Sequence, residues 1–355
     1  MRLRLKSISL LAAIILLITA CKKNGNQPAP PTGGGGGNTT IAAPPSLGFY
    51  VVGYFPSYRD PALVPDQKFR MCNVINYAFG NITLSGSLSI AAPGTFSAVI
   101  TKAKANGAKI FLSVSGNAAD FKNMASGASG RNSFVRDIMQ ALRTYQLDGV
   151  DIDWEYPRTD DGTDITYTAF MKELSDSCHT NARYYLSTAI TSGKYAGAVR
   201  DAIRNELWTG GYVDFFNIMA YDDFSTTVAF RHHSDLALAQ TAITYWVNTR
   251  GMPANKAVLG IPAYGRPSGI TQTGTVLSYA AILAQGGSSL SDSARVSVTG
   301  FSNYTIYYNG TATAKRKAML AKTQASGVML WEKGQDAQDA ASILKAICDT
   351  LGRTY

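Results

Sequence analysis

Cysteine is scarce in this chain, with four in 355 residues. Three of them, Cys72, Cys178 and Cys348, lie far apart. That spacing excludes a disulfide-stapled scaffold and a thiolate metal site, and buried thiols with at most one bridge are expected. Histidine numbers only three, and none has the spacing of metal ligands, so neither a metal centre nor a cofactor is expected. No P-loop and no Gly-x-Gly-x-x-Gly occurs. Gly53-Tyr54-Phe55-Pro56, after the first strand-like run, has no phosphate-cradling pattern. Charge of one sign is also missing once the start is set aside. The net charge is +9, but Arg2, Arg4, Lys6, Lys22 and Lys23 precede every acid, so the remainder carries only about +4. A dedicated nucleic-acid binder is thereby excluded.

The amino terminus holds a basic start and an apolar run from Ile8 to Ile18. Residues 1–20 read as an export signal, too short for a comfortable membrane span. Ile18-Thr19-Ala20-Cys21 resembles a bacterial lipobox, which implies cleavage before Cys21 and its lipidation. Residues 21–46 are rich in Pro and Gly and read as a flexible tether. The expectation is an exported protein, anchored through Cys21 to the bacterial cell envelope.

Residues 47–355 alternate apolar strand-like runs with helical patterns. The runs are 49–54, 73–79, 108–115, 147–157, 184–190, 213–220, 257–264 and 327–331. Helical patterns lie at 94–105, 131–145, 167–182, 236–248, 315–325 and 336–351. Eight strands interleaved with helices predict an α/β fold, a parallel (β/α)8 TIM barrel, with a small insertion at 267–313 after the seventh strand. In that insertion 278–283 starts a helix and 304–310 looks like a strand and turn.

The fourth run, Leu147 to Pro157, is unusual. Period-two alternation puts Gly149, Asp151, Asp153 and Glu155 on one face and Val150, Ile152 and Trp154 on the other. Side chains two apart on a strand are separated by roughly 6.5 Å, so three carboxylates in line repel one another. A solvent-facing acidic edge and an oxygen-ligand cation site are the bland readings. The sharper one is a coupled set with one proton held for catalysis. Barrel active sites lie at the carboxyl ends of the strands. Those ends here read Tyr54, Phe79, Ser113 to Gly116, Asp153 and Glu155, Met219 to Asp222, Tyr264 to Arg266, and Trp331-Glu332. Aromatic rings suit sugar faces, and carboxylates suit glycosidic chemistry.

With these residues in view, the chain resembles glycoside hydrolase family 18, the chitinase family. Asp148, Asp151, Asp153 and Glu155 match its Asp-x-x-Asp-x-Asp-x-Glu signature. Met219-Ala220-Tyr221-Asp222 is similar to its Met-x-Tyr-Asp. Residues 259–266 and 327–332 look like its seventh and eighth strands. The third strand departs, with Ser113-Val114-Ser115-Gly116 in place of Ser-x-Gly-Gly. The resemblance implies that Glu155 is the acid, that Asp153 holds the substrate's N-acetyl group, and that Asp151 supports Asp153 from behind. It further implies that Tyr221 bonds the acetamido carbonyl, that Met219 and Asp222 line the same subsite over Trp331, and that Asp148 is structural. Tyr54, Phe79, Tyr264 and Arg266 are expected to bind substrate. The implied activity is cleavage of β-1,4-linked N-acetylglucosamine polymers with retention by substrate assistance, endo-acting in an open cleft, by a monomer whose partner is chitin or its oligosaccharides. Two alternatives are an endo-β-N-acetylglucosaminidase of N-glycans and a non-catalytic glycan-binding lipoprotein. His232 and His233 are either sugar contacts or exposed loop residues.

Overall fold

The structure, a computed structural model, describes residues 40–224, 231–267 and 275–355. Residues 1–20, the expected lipidation site Cys21 and most of the expected tether lie outside the described residues.

Eight parallel strands close a barrel: β1 (Tyr50–Pro56), β2 (Val74–Ile82), β3 (Lys109–Ser115), β4 (Gly149–Ile152), β5 (Tyr185–Thr191), β6 (Phe215–Met219), β7 (Ala257–Pro262) and β8 (Gly327–Trp331). Each pairs with the next in sequence, and β1 pairs with both β2 and β8. All seven residues of β1 and all six of β7 are buried. Strands covered on both faces are near-continuous apolar runs, which is why these stretches lack polar alternation.

The two faces of the strands feed two cores. Outward residues such as Val150, Ile152 and Trp154 join the layer beneath the helices. Inward residues Tyr50, Val52, Phe111, Tyr185, Phe215 and Val258 plug the barrel's amino-terminal half. The Tyr50 and Phe215 rings lie 4.3 Å apart, centre to centre. Above this plug comes a polar layer of Asn76, Ser113, Asp151, Ser187 and Asn217, all fully buried.

Several element ends differ from the sequence expectation. β4 stops at Ile152, because after Asp153 donates its N–H to the Val114 carbonyl the chain leaves the barrel at its mouth. The last helix starts at Ile343, not at Asp336. The Asp336 carboxylate is drawn inward by buried Lys68 at 2.8 Å, and it accepts the Ile343 and Leu344 N–H groups. It serves the helix start from outside, satisfying donors that a first turn leaves free. The three described cysteines are buried free thiols.

The insertion is an α+β unit. Antiparallel strands run in the order Leu277–Ser278, Tyr264–Pro267, Phe301–Tyr307, Ser293–Val298, with helix Tyr279–Ala284 beside them. The strand expected at 304–310 begins at Phe301, and its hairpin partner Ser293–Val298 had no counterpart in the sequence reading. Arg295 and Ser297 keep that partner strand half-polar and largely exposed, so it lacks an apolar run.

Candidate active site

At the carboxyl ends of the strands lies a cavity of about 360 Å³. The register of β3, β4 and β5 builds its base. Asp151 pairs with Ser113 on one side and Ser187 on the other. In-register residues of parallel strands point the same way, so both serines turn inward with the aspartate. Their hydroxyls donate to Asp151 at 2.8 and 2.6 Å. The Tyr54 hydroxyl donates at 2.7 Å and the Asn217 amide at 3.1 Å. Burial pushes the Asp151 pKa up, and these four donors pull it back. Burial and the Asp151 charge hold the Tyr54 phenol well above its ordinary pKa, so it stays a donor.

Two residues higher, Asp153 is 4% exposed, and its Oδ1 has no hydrogen-bond partner among the described residues. Its pKa is raised well above the carboxylate range. Burial is the main cause, followed by the charges of Glu155 and Asp151 and a hydrogen bond with Glu155. Glu155, two residues on, is solvent-exposed and lines the cavity. The three carboxyl groups therefore form a line of increasing exposure from the barrel interior to its mouth. The Ser115 hydroxyl fixes the backbone at this point by donating to the Asp153 carbonyl at 2.9 Å.

The opposite wall comes from β6 and the turn after it. Met219, Tyr221, Asp222 and Asp223 line the cavity. Tyr221 fits because β7 offers Gly260 behind it. A Cβ at Gly260 would meet the Tyr221 ring at 2.9 Å and the Ile218 carbonyl at 2.5 Å. Burial keeps the Tyr221 phenol well above its ordinary pKa. Trp331, at the end of β8, lies 5.3 Å from the Tyr54 ring and stacks on Phe79 at 5.8 Å.

The other residues expected at the site divide. Tyr54, Asp153, Glu155, Met219, Tyr221, Asp222 and Trp331 face the cavity; Asp151, Phe79, Tyr264 and Arg266 do not. Phe79 backs Trp331. Tyr264 and Arg266 grip Asp222 at 2.6 and 2.5 Å. Burial opposes charge on Asp222, yet neighbouring His233 and the bonds from Arg266 and Tyr264 hold its pKa far below the usual carboxylate range. Asp222 is thus a fixed anion, and Tyr264 and Arg266 are its clamp. His233 is 1% exposed and accepts the Asp222 N–H, and His232 donates to the Tyr308 carbonyl at 2.8 Å. Neither histidine faces the cavity, and neither is an exposed loop residue; they lock the turn after β6 to the insertion. Asp148 accepts Lys109 at 2.8 Å on the outer side.

Sequence reasoning missed Tyr156, Tyr195 and Asp223, which also line the cavity. Asp223 is held by Lys194 at 2.5 Å, by the Tyr195 hydroxyl and by Arg231. The available signal was the polar run Ser192-Gly193-Lys194-Tyr195 directly after an apolar strand.

The profile of glycosyl hydrolases family 18 matches residues 50–336. Chitotriosidase-1 of Mus musculus is 29% identical over 243 residues, covering 61% of this chain and 50% of that protein. The chain spans about half the length of the curated relatives it matches or less. Among solved structures, the GH18 chitinase ChiB from the chitin utilization locus of Flavobacterium johnsoniae superposes with a TM-score of 0.70 at 25% identity, covering 86% of this chain and 94% of that one. A plant class V chitinase mutant from Cycas revoluta, in complex with (GlcNAc)3, gives a TM-score of 0.73 at 23% identity, covering 85% and 100%.

Proposed function

The chain belongs to glycosyl hydrolases family 18, and from that premise we propose that it hydrolyses β-1,4-linked N-acetylglucosamine polymers with the substrate's own acetamido group as nucleophile. One observation carries the reading. Asp153 is buried with a free oxygen and a raised pKa, directly below the exposed Glu155. A two-carboxylate retaining mechanism needs a second free carboxylate facing the sugar. Asp153 stands beside Glu155 on the same face, which suits steadying an acetamido group rather than attacking from across the sugar, and the other carboxylates at the cavity are not free. Asp222 is clamped by Tyr264 and Arg266, and Asp223 by Lys194 and Arg231.

In the proposed reaction Glu155 gives its proton to the glycosidic oxygen. The acetamido carbonyl oxygen attacks C1, and the C1–O bond to the leaving sugar breaks. Asp153 accepts the acetamido N–H as positive charge spreads into the resulting ring. Tyr221, kept protonated by burial, donates to the acetamido oxygen and orients it. Water then attacks C1 from the face the leaving group vacated, passes a proton back to Glu155, and the acetamido ring reopens with retention. The same proposal takes the insertion, fewer than fifty residues long, as only a low wall beside the cleft, and so places cleavage within a chain. The same reading includes export and anchoring through Cys21.

The test is product analysis. N-acetylglucosamine hexamer should give internal fragments whose newly formed ends are first the β-anomer, while glucose hexamer should stay intact. Glu155→Gln should lower turnover by roughly 10²–10⁴-fold, the range of general-acid contributions, with oligomer binding kept. Cleavage of the glucose oligomer overturns substrate assistance. Preferential release of N-glycans, or binding without hydrolysis in the parent chain, overturns the chitinase reading.

A further inference from the structure

The barrel carries a second groove, of about 690 Å³, between the helices Ala128–Thr144 and Thr163–Cys178 and the loop into β5. Arg143 stands in the last turn of the first helix, which leads to the amino end of β4, and Arg183 precedes the amino end of β5. The groove therefore lies at the end of the barrel opposite the catalytic mouth. Arg136, Arg143 and Arg183 line it together with Ser177, Thr180 and Asn181.

Among the described residues no carboxylate neutralises these arginines. The acids on the surrounding elements are engaged elsewhere. Glu173 binds Arg131, Asp176 binds Lys172, and Asp214 binds His179. Asp137 accepts the Leu88 N–H. Arg183 meets Tyr184 alone, donating to its hydroxyl at 2.9 Å and lying 5.1 Å from its ring centre. Three unneutralised guanidinium groups match phosphate oxygens, which such forks bind in pairs, while the Ser177 and Thr180 hydroxyls donate to the Glu173 and Asp176 carbonyls.

A second observation identifies where the phosphates come from. The described chain enters the fold beside this groove. Ile41 bridges to Thr180, the Ala42 N–H reaches the His179 carbonyl at 3.0 Å, and the Asn181 N–H reaches the Thr40 carbonyl at 2.8 Å. Ile41 itself is 59% exposed. An exposed apolar side chain and a cationic groove thus adjoin the point from which the chain runs back towards Cys21. We propose that this groove docks on the phosphate groups of an anionic lipid surface, holding the barrel with its catalytic mouth turned away from the bilayer. This goes beyond the hydrolytic reading and does not depend on it.

The experiment uses the full chain with Cys21→Ser, so that acylation plays no part. It is sedimented with vesicles of phosphatidylcholine and phosphatidylglycerol in equal parts, or of phosphatidylcholine alone. Each arginine near an anionic leaflet should contribute roughly five-fold in affinity, so removing Arg136, Arg143 and Arg183 together as glutamine should weaken binding to the anionic vesicles about a hundred-fold. A charge-matched control with Arg295→Gln, Lys315→Gln and Arg316→Gln should lose far less. An equal loss in the two triple variants overturns the proposal, because only net charge would then matter. Binding of inorganic phosphate that the groove triple abolishes, with vesicle binding unchanged, overturns the lipid assignment in favour of a soluble anion. Melting temperature and oligomer turnover report that each variant is folded. Should Arg183→Gln destabilise the chain, the pair Arg136→Gln and Arg143→Gln is read instead, with about a 25-fold loss expected.

Discussion

Asp153 sits where folding and the proposed chemistry make opposite demands. Its pKa is raised well above the unfolded value by burial and by the Glu155 and Asp151 charges. A raised folded pKa means that the native state binds the extra proton. The stability this gives is fully present below the unfolded carboxylate pKa and is lost as pH rises above it. At neutral pH Asp153 therefore costs the fold, a cost that the proposed reaction accounts for because it places this carboxylate at the acetamido group. Asp153→Asn should raise the melting temperature near neutral pH, and the gain should vanish below about pH 4, where a free aspartate is itself protonated. The same variant should lose turnover by roughly 10²–10³-fold, the scale of one lost transition-state stabiliser. Thermal unfolding across pH, paired with hexamer kinetics, checks both, and an Asp153→Asn protein less stable than the parent at neutral pH contradicts the account. Asp151 behaves differently. Its four donors are satisfied only by a carboxylate, and Asp151→Asn should lower stability by about 1–3 kcal/mol, the penalty for leaving buried donors without an acceptor. Chemical denaturation of the two variants should thus give shifts of opposite sign. The parity that separates these acids from Val150, Ile152 and Trp154 was legible in the sequence, because a strand's period of two leaves no other choice. That Asp151 lies behind Asp153 was already implied by the resemblance; the donors that hold it were not legible, since Ser113 and Ser187 arrive from neighbouring strands.

The turn after β6 and the insertion after β7 act as one element around Asp222. Tyr264 and Arg266 open the insertion and clamp Asp222, while His232 and His233 bind the turn from below. Sequence patterning revealed each piece but not this linkage, because the contacts join residues more than 40 positions apart. His232 donates from Nε2 to the Tyr308 carbonyl and accepts the Ser234 N–H at Nδ1, 2.9 Å away. That pair of contacts needs the neutral ring. A second proton on Nδ1 would confront the Ser234 N–H, and burial, His233 and Lys317 oppose the added charge, against Asp292 and the Tyr308 carbonyl. Its pKa is lowered to about 4. With the folded pKa below the unfolded value, the unfolded chain binds more protons between the two, so stability falls as pH drops from about 6.5 to about 4. At about 1.4 kcal/mol per pH unit the loss is on the order of 3 kcal/mol. His232→Gln should start from a lower neutral stability and show a flatter acid limb. Urea unfolding at several pH values measures this, and parallel pH curves for parent and variant would remove His232 from the linkage.

At the scale of the whole molecule, the barrel was the most legible feature. Eight buried strands are mainly apolar runs, broken on the inward face by few polar residues, and that pattern is written into the local sequence. What lay beyond such reading were features made by side chains meeting across the barrel ends, the Asp222 clamp at one end and the arginine groove at the other. The two ends also separate two proposed roles, chemistry at the strands' carboxyl ends and attachment at their amino ends. The described fold begins at Thr40, 19 positions after Cys21. The expected lipidation of Cys21 would supply acyl chains that enter a detergent micelle. The processed parent should therefore partition into the detergent phase on cloud-point separation, and Cys21→Ser should move to the aqueous phase. Turnover of soluble N-acetylglucosamine oligomers should be the same for both, because every residue lining the cavity lies at or beyond Tyr54. Turnover of insoluble polymer presented to whole cells should fall in the variant as the enzyme is released. Retention of Cys21→Ser in the detergent phase, where no anionic lipid is present to engage the arginine groove, would show that Cys21 is not the anchor.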